Sequence, residues 1–157
     1  MSELIQILTG TLGTLGFALV FRISKKRIPF AVLGGVLACA AYLICRDYIT
    51  MNFLILFIPA VIATAYAEGF ARIIKTPAST LLVPSIISLV PGSGLYYAIS
   101  FLISGDMAGF SSMAESTITS AAGIAAGIIV VSVIVNSFVS AKAKRQARLN
   151  AERRESD

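Results

Sequence analysis

Hydrophobic residues along this chain come in five long blocks, without the short alternation of a soluble fold. The blocks cover residues 4–21, 28–45, 48–67, 81–103 and 116–139, each about 18 to 24 residues long. That length suits a helix rising ~1.5 Å per residue across a hydrocarbon core of about 30 Å. Polar residues collect between the blocks, so the pattern predicts an all-α, polytopic membrane protein with five transmembrane helices. The blocks take about two thirds of the chain and leave no room for a soluble domain. Residues 1–140 read as one five-span unit. Residues 141–157 read as a basic cytoplasmic tail that extends the fifth helix out of the membrane.

The fourth block is unlike a plain anchor, because Pro84, Pro91, Gly92 and Gly94 interrupt it. Pro84 cannot donate to the Thr80 carbonyl, and Pro91 cannot donate to that of Ile87. Gly92 and Gly94 open backbone geometries closed to other residues. Counted from Leu81, Gly92 lies about 16 Å along the helix, near the middle of the core. A helix restarting near Gly94 points the N–H groups of Ser93, Gly94 and Leu95 into the protein, with Ser93 placed to cap it. Such an N-terminus attracts carboxylates, and Tyr96 and Tyr97 add hydroxyls beside it. A simple kink needs one proline. In lipid, every freed backbone group must find a partner or line a cavity, and broken helices beside charges recur at transport sites.

Composition agrees with a membrane class: 57% hydrophobic, 13% charged, mean hydropathy +0.86. Soluble domains carry about 25% charged residues. Charge also predicts orientation. Arg22, Lys25, Lys26 and Arg27 follow the first block, and Arg72 and Lys75 follow the third. Lys142, Lys144, Arg145, Arg148, Arg153 and Arg154 follow the fifth, so of the 13 basic residues only Arg46 falls on the other side. Glu3, Asp47, Asp106 and Glu115 share that side. The positive-inside rule then gives N-terminus out, C-terminus in, and a multi-pass protein of the cytoplasmic (inner) membrane. The first block is expected to be retained, since a cleavable signal begins with positive charge and here the charge comes after.

Other chemistry is sparse. The chain has no histidine, and Cys39 and Cys45 read as small buried apolar residues. No metal, no cofactor and no enzymatic activity is expected, because no nucleophile–base pair or ligand cluster is in view. The basic tail suits anionic lipid headgroups. Nucleic-acid binding is not expected, since no aromatic or fold motif accompanies the charges.

Glu68, Arg72 and Lys75 stand at i, i+4 and i+7, one stripe at the inner end of the third helix. They form either an interfacial ion pair with a snorkelling lysine or a carboxylate ligand (Arg72) with a proton carrier or gate (Glu68). Thr64 and Tyr66 lie just above and extend a polar path. Lys75-Thr76-Pro77 ends the helix. Small residues recur at helical spacing: Gly10, Gly13 and Gly16; Gly34 with Ala38; Thr119, Gly123 and Gly127. They permit close helix approach, within the chain or against another subunit, a homo-oligomer included.

These residues carry a resemblance. Tyr66-Ala67-Glu68, Ala71-Arg72 and Lys75-Thr76-Pro77-Ala78, with the run from Pro84 to Tyr96, resemble the signature of the threonine/serine exporter (ThrE-type) family. The match is to its C-terminal half, which also occurs as a separate small protein of the YjjB type. Ser85 and Ser88 stand where the family tends to carry glycine and proline, and both soften the break. The resemblance implies a secondary exporter of small carboxylate-bearing metabolites, threonine and serine or dicarboxylates such as succinate. It also implies a larger five-span subunit as partner. The residues expected to bind substrate or gate its passage are Glu68, Arg72, Lys75, Pro91, Gly92, Ser93, Gly94 and Tyr96. The other function class the sequence leaves open is an assembly subunit that stabilises a larger transporter without touching substrate.

Overall fold

A computed structural model describes residues 2–156. The side chains of residues 2, 3, 142–144 and 146–156 lie outside the described set. The basic tail side chains Lys142, Lys144, Arg148, Arg153 and Arg154 are among them. Six α-helices follow one another: α1 Ser2–Val20, α2 Ile28–Tyr48, α3 Asn52–Ile73, α4 Ala78–Ile86, α5 Gly92–Ser104 and α6 Met107–Ser156. A 3₁₀ turn, Ile87–Leu89, closes α4, and no strand occurs among the described residues.

Three helices are long and apolar enough to cross a membrane: α2, α3 and the Met107–Ala141 part of α6. The α4–α5 pair makes a fourth span if taken together, bent by 47° at the break. The apolar part of α1, Leu4–Val20, is shorter than a full span. The third helix is displaced from its expected block. It starts at Asn52 and continues to Ile73, so Glu68 and Arg72 lie inside it.

Alanine and glycine make the core. Ala31, Ala38, Ala60, Ala63 and Ala67 are fully buried, with Leu81, Leu56 and Leu89 beside them. Hydrocarbon offers no hydrophobic drive between helices, so close backbone approach does the packing. Gly35 receives Thr14 of α1, Gly34 receives Ser85 and Tyr66, and Gly123 and Gly127 lie against the backbone carbonyls of Phe53 and Phe57. The small faces of α2 and α6 are therefore used inside the chain, whereas nothing lies near Gly13 or Gly16. The hydroxyls of Thr9, Thr11 and Thr14 return to carbonyls one turn back, which satisfies them without water.

The C-terminal ends of α1 and α3 each close with a basic residue in the left-handed region. Arg22 has φ 52° and Lys75 has φ 50°. The Ile23 N–H then reaches the Ala18 carbonyl at 3.0 Å, and the Thr76 N–H reaches that of Ala71 at 2.9 Å. These are the six-to-one bonds of a helix stop usually built on glycine.

Candidate functional site

The break falls at Val90-Pro91, where the chain is extended between the 3₁₀ turn and α5. Its hydrogen bonds explain its shape. The Ile87 carbonyl finds the Val90 N–H at 3.3 Å, and the Gly92 N–H folds back on the Val90 carbonyl at 2.7 Å. Leu95 donates to the Pro91 carbonyl at 3.2 Å. The Ser88 carbonyl faces a proline three residues on and a diverted N–H four residues on. It has no partner among the described residues, nor has the Leu89 carbonyl. The N–H groups of Ser93 and Gly94 are likewise unpaired among the described residues. Ser93 does not cap α5; Pro91 holds the N-cap position and no side chain bonds there.

Ser85 and Ser88 shape the approach to this break. Ser85 donates to the carbonyls of Leu81 and Ala31, at 2.7 and 3.1 Å, and holds α4 on α2. Ser88 donates to the Ser85 carbonyl at 3.1 Å, and the helix tightens into a 3₁₀ turn as far as Leu89. Pro84 sits inside α4, fully buried, without ending it.

The unpaired groups border a cleft of about 510 Å³. Pro91, Ser93, Gly94 and Tyr97 line it from the break and α5, and Tyr42 and Arg46 from α2. Asn52, Ile55 and Leu56 come from the first turns of α3; Ser116, Thr117 and Ser120 come from α6. Gly94 is required there, since a Cβ would collide with the Thr117 hydroxyl, whereas a Cβ on Gly92 meets nothing. Tyr96 turns away and is 68% exposed. Ser93, Tyr97, Ser100 and Ser104 follow at i, i+4, i+7 and i+11, so one hydroxyl face of α5 leads out of the cleft.

The cation at this cleft is Arg46. Its Nη1 donates to Gln6 Oε1 at 3.2 Å, and its Nε stands 3.6 Å from the Asp47 carboxylate. Both contacts are part-exposed, so the guanidinium keeps donors free for an anion. No acidic side chain lines the cleft. Glu115 lines a neighbouring cleft, with Asn52 and Ser116 shared between the two. There the Asn52 amide donates to the Ser116 hydroxyl at 2.9 Å.

Glu68 and Arg72 form an ion pair of 3.6 Å, the glutamate 18% and the arginine 51% exposed. They lie at the opposite end of α3. Arg72 follows Asn52 by twenty residues, about 30 Å of helix, well beyond the reach of its side chain. The structure therefore does not bring Glu68, Arg72 or Lys75 to the break. Nor do Thr64 and Tyr66 extend a polar path. Thr64 donates to the Ala60 carbonyl at 2.7 Å, and the Tyr66 hydroxyl donates to the Phe30 carbonyl at 2.9 Å. The break is also closer to one face than counting along the fourth block suggested. It packs against the first turn of α3 and the last turns of α2, the ends that carry Asn52 and Arg46.

Sequence reading missed Arg46, Asn52 and the Ser116/Thr117/Ser120 stripe. A signal existed for each. Arg46 is the one basic residue on an otherwise acidic side, and the α6 hydroxyls repeat at helical spacing. Pro59 was a further signal: it removes the donor for the Ile55 carbonyl, and Ile55 lines the cleft. Among the described residues no group of three or more His, Cys, Asp or Glu side chains could hold a metal.

Comparison with known families decides the class. The threonine/serine exporter (ThrE) description matches residues 6–134, most of the chain. The chain belongs to the threonine/serine exporter family. No curated protein and no solved structure is significantly similar to it. Family membership and the apolar helices together make it a membrane protein of an exporter family. Within this family member, the residues matched include the whole break and the whole cleft.

Proposed function

We propose that this chain is the small subunit of a two-component secondary exporter in the cytoplasmic membrane, working with a larger five-span subunit. In this reading it crosses five times, with the N-terminus outside, and α1 and the bent α4–α5 pair each count as a span. A five-span unit that starts outside is the inverted counterpart of one that starts inside, an arrangement suited to alternating access. The basic tail rests against anionic lipid headgroups.

One observation carries the substrate reading: the break presents unpaired backbone groups of both signs to one cleft, beside Arg46. The carboxylate of a small metabolite meets the Ser93 and Gly94 N–H groups and the Arg46 guanidinium. An ammonium group finds acceptors in the Ser88 and Leu89 carbonyls. A zwitterion uses both sets, whereas the second carboxylate of succinate meets no donor near those carbonyls. Threonine and serine are therefore favoured over dicarboxylates, with the cleft hydroxyls available to their side chains. Glu68 and Arg72 act at the other end as an inner gate or coupling pair, with Lys75 beside them. Transport proceeds by a shift of population between states open to either side.

The test is export of radiolabelled threonine and succinate from cells lacking their own exporters. These cells express this chain alone or with the five-span gene beside it. Threonine export only with the companion supports the proposal. Export by this chain alone removes the two-component part, and succinate export without threonine removes the zwitterion reading. Loss of neither substrate from any strain, with both proteins in the membrane, leaves an assembly subunit as the better reading.

A further inference from the structure

Hydroxyls along these helices commonly bond back onto their own backbone. Those of Thr11, Thr14, Thr64, Ser85 and Thr117 each donate to a carbonyl one turn earlier. Ser116 departs from this habit. Its oxygen accepts the Asn52 amide N–H at 2.9 Å, and its own O–H finds no acceptor among the described residues. A hydroxyl has one proton and two lone pairs, so accepting from Asn52 turns that proton away from the amide. The Asn52 side-chain oxygen likewise accepts nothing among the described residues. One bond thus fixes the pair and leaves a free donor and a free acceptor side by side. Both residues line the 510 Å³ cleft.

Two neighbours make this pair more than a tie between α3 and α6. The first is the start of α5. Gly94 lies against the Thr117 hydroxyl, so the unpaired N–H groups of Ser93 and Gly94 come close to the Ser116 turn of α6. The second is aliphatic. Ile55 and Leu56 follow Asn52 at i+3 and i+4, which puts all three on one face of α3, and both line the same cleft.

We propose that Asn52 and Ser116 read the side-chain hydroxyl of the exported amino acid, and that Ile55 receives the methyl group that distinguishes threonine from serine. This rests on the zwitterion reading of the cleft and names the residues that set selectivity within it. The substrate hydroxyl donates to Asn52 Oδ1 and accepts from the Ser116 O–H, so each of the three groups gains a partner. Valine has the shape of threonine with a methyl in place of the hydroxyl. Bound there, it leaves both protein groups unpaired. A site built around a hydroxyl rejects the analogue that lacks it, by about 10⁴-fold or more when water is excluded. Asn52 is exposed and Ser116 half-buried, so water restores part of what valine takes away. The discrimination expected here is therefore about tenfold to a hundredfold. One methyl against an aliphatic side chain favours threonine over serine by about fourfold.

Export of labelled threonine, serine and valine, at matched internal concentrations, tests the assignment in cells carrying this chain with its five-span companion. The parent should move threonine about tenfold or more faster than valine. Asn52→Leu and Ser116→Ala should each bring that ratio below about threefold while valine export holds or rises, which also shows that the variant is folded. Ser116→Thr keeps the hydroxyl and should keep the ratio. Ile55→Ala should lower threonine against serine by about fourfold and leave threonine against valine unchanged. A bond that only ties α3 to α6 gives a different result: all three rates fall together and every ratio stays, which overturns the proposal. If Asn52→Leu does not accumulate, Ser116→Ala decides alone, since it removes a single oxygen. A parent that exports threonine and valine equally overturns the proposal and leaves the zwitterion reading standing. A parent that moves no amino acid removes both.

Discussion

Arg46 Nη1 donates to Gln6 Oε1 across 3.2 Å, tying the ends of α1 and α2 beside the broken helix. The same arginine lines the cleft into which the break opens its unpaired N–H and C=O groups. Arg46→Gln keeps a donor but loses charge and fork, and is expected to reduce threonine export at least tenfold. Membrane level, read by blotting, stays unchanged. Gln6→Ala releases the guanidinium without removing it and should change export less than threefold. Equal export by Arg46→Gln and the parent would remove Arg46 from substrate binding.

The Glu68–Arg72 pair at 3.6 Å stands apart from the cleft, because Arg72 lies ~30 Å of helix from Asn52, and the proposed gating role is tested by charge exchange. Arg72→Ala is expected to abolish export with normal insertion. The exchange Glu68→Arg with Arg72→Glu keeps the pair and should recover at least a tenth of the rate. A double variant as inactive as the singles would show that each residue acts separately.

Pro91→Ala supplies an N–H to the 3₁₀ turn, which can then bond the free Ser88 carbonyl. The bend between α4 and α5 should decrease and export should fall at least tenfold. Thermal stability should hold or rise, since a freed acceptor is satisfied. Distance measurements between spin labels at residues 83 and 103 would report the straightening.

Gly123 and Gly127 lie directly on the α3 backbone. Gly123→Val is expected to cost about 2–3 kcal/mol, because a backbone cannot move aside as a side chain does. Gly16→Ala faces open space. It should be neutral or stabilise α1 by up to about 1 kcal/mol. Unfolding of the purified protein in detergent separates the two.

Lys75 closes α3 at φ 50°, a conformation that costs a side-chain-bearing residue about 1–2 kcal/mol. Lys75→Gly should therefore raise stability by about 1 kcal/mol, as should Arg22→Gly at the end of α1. If export falls in Lys75→Gly while stability rises, the charge at that position serves transport. If both rise, it serves only the helix stop.

Much of this was written in linear order. Hydrophobic block length foresaw the three long helices, α2, α3 and the apolar part of α6, because a hydrocarbon core sets a minimum length for what crosses it. The first block, by contrast, gives a helix shorter than a span, and the fourth divides into two. Proline and glycine chemistry placed the break within a residue or two, since a missing N–H acts locally wherever the chain goes. The 3₁₀ turn ending at Leu89 likewise follows from Ser88, whose hydroxyl bonds backward within the same turn. What lay around the break was not legible. Arg46 is forty-five residues from Pro91 in sequence, and Ser116 is sixty-four from Asn52. Each pair meets only because glycine and alanine faces set the helices at a particular height and rotation. Helical spacing correctly put Glu68 and Arg72 on one stripe of α3, whereas Lys75 lies past the helix end at φ 50° and off that stripe. Spacing also has no information on height relative to another helix. Local backbone chemistry was thus decided by the sequence itself. Which charge faces the break, and which end of the bundle the cleft opens on, was decided by tertiary packing, because contacts between distant segments depend on the joint fit of several helices.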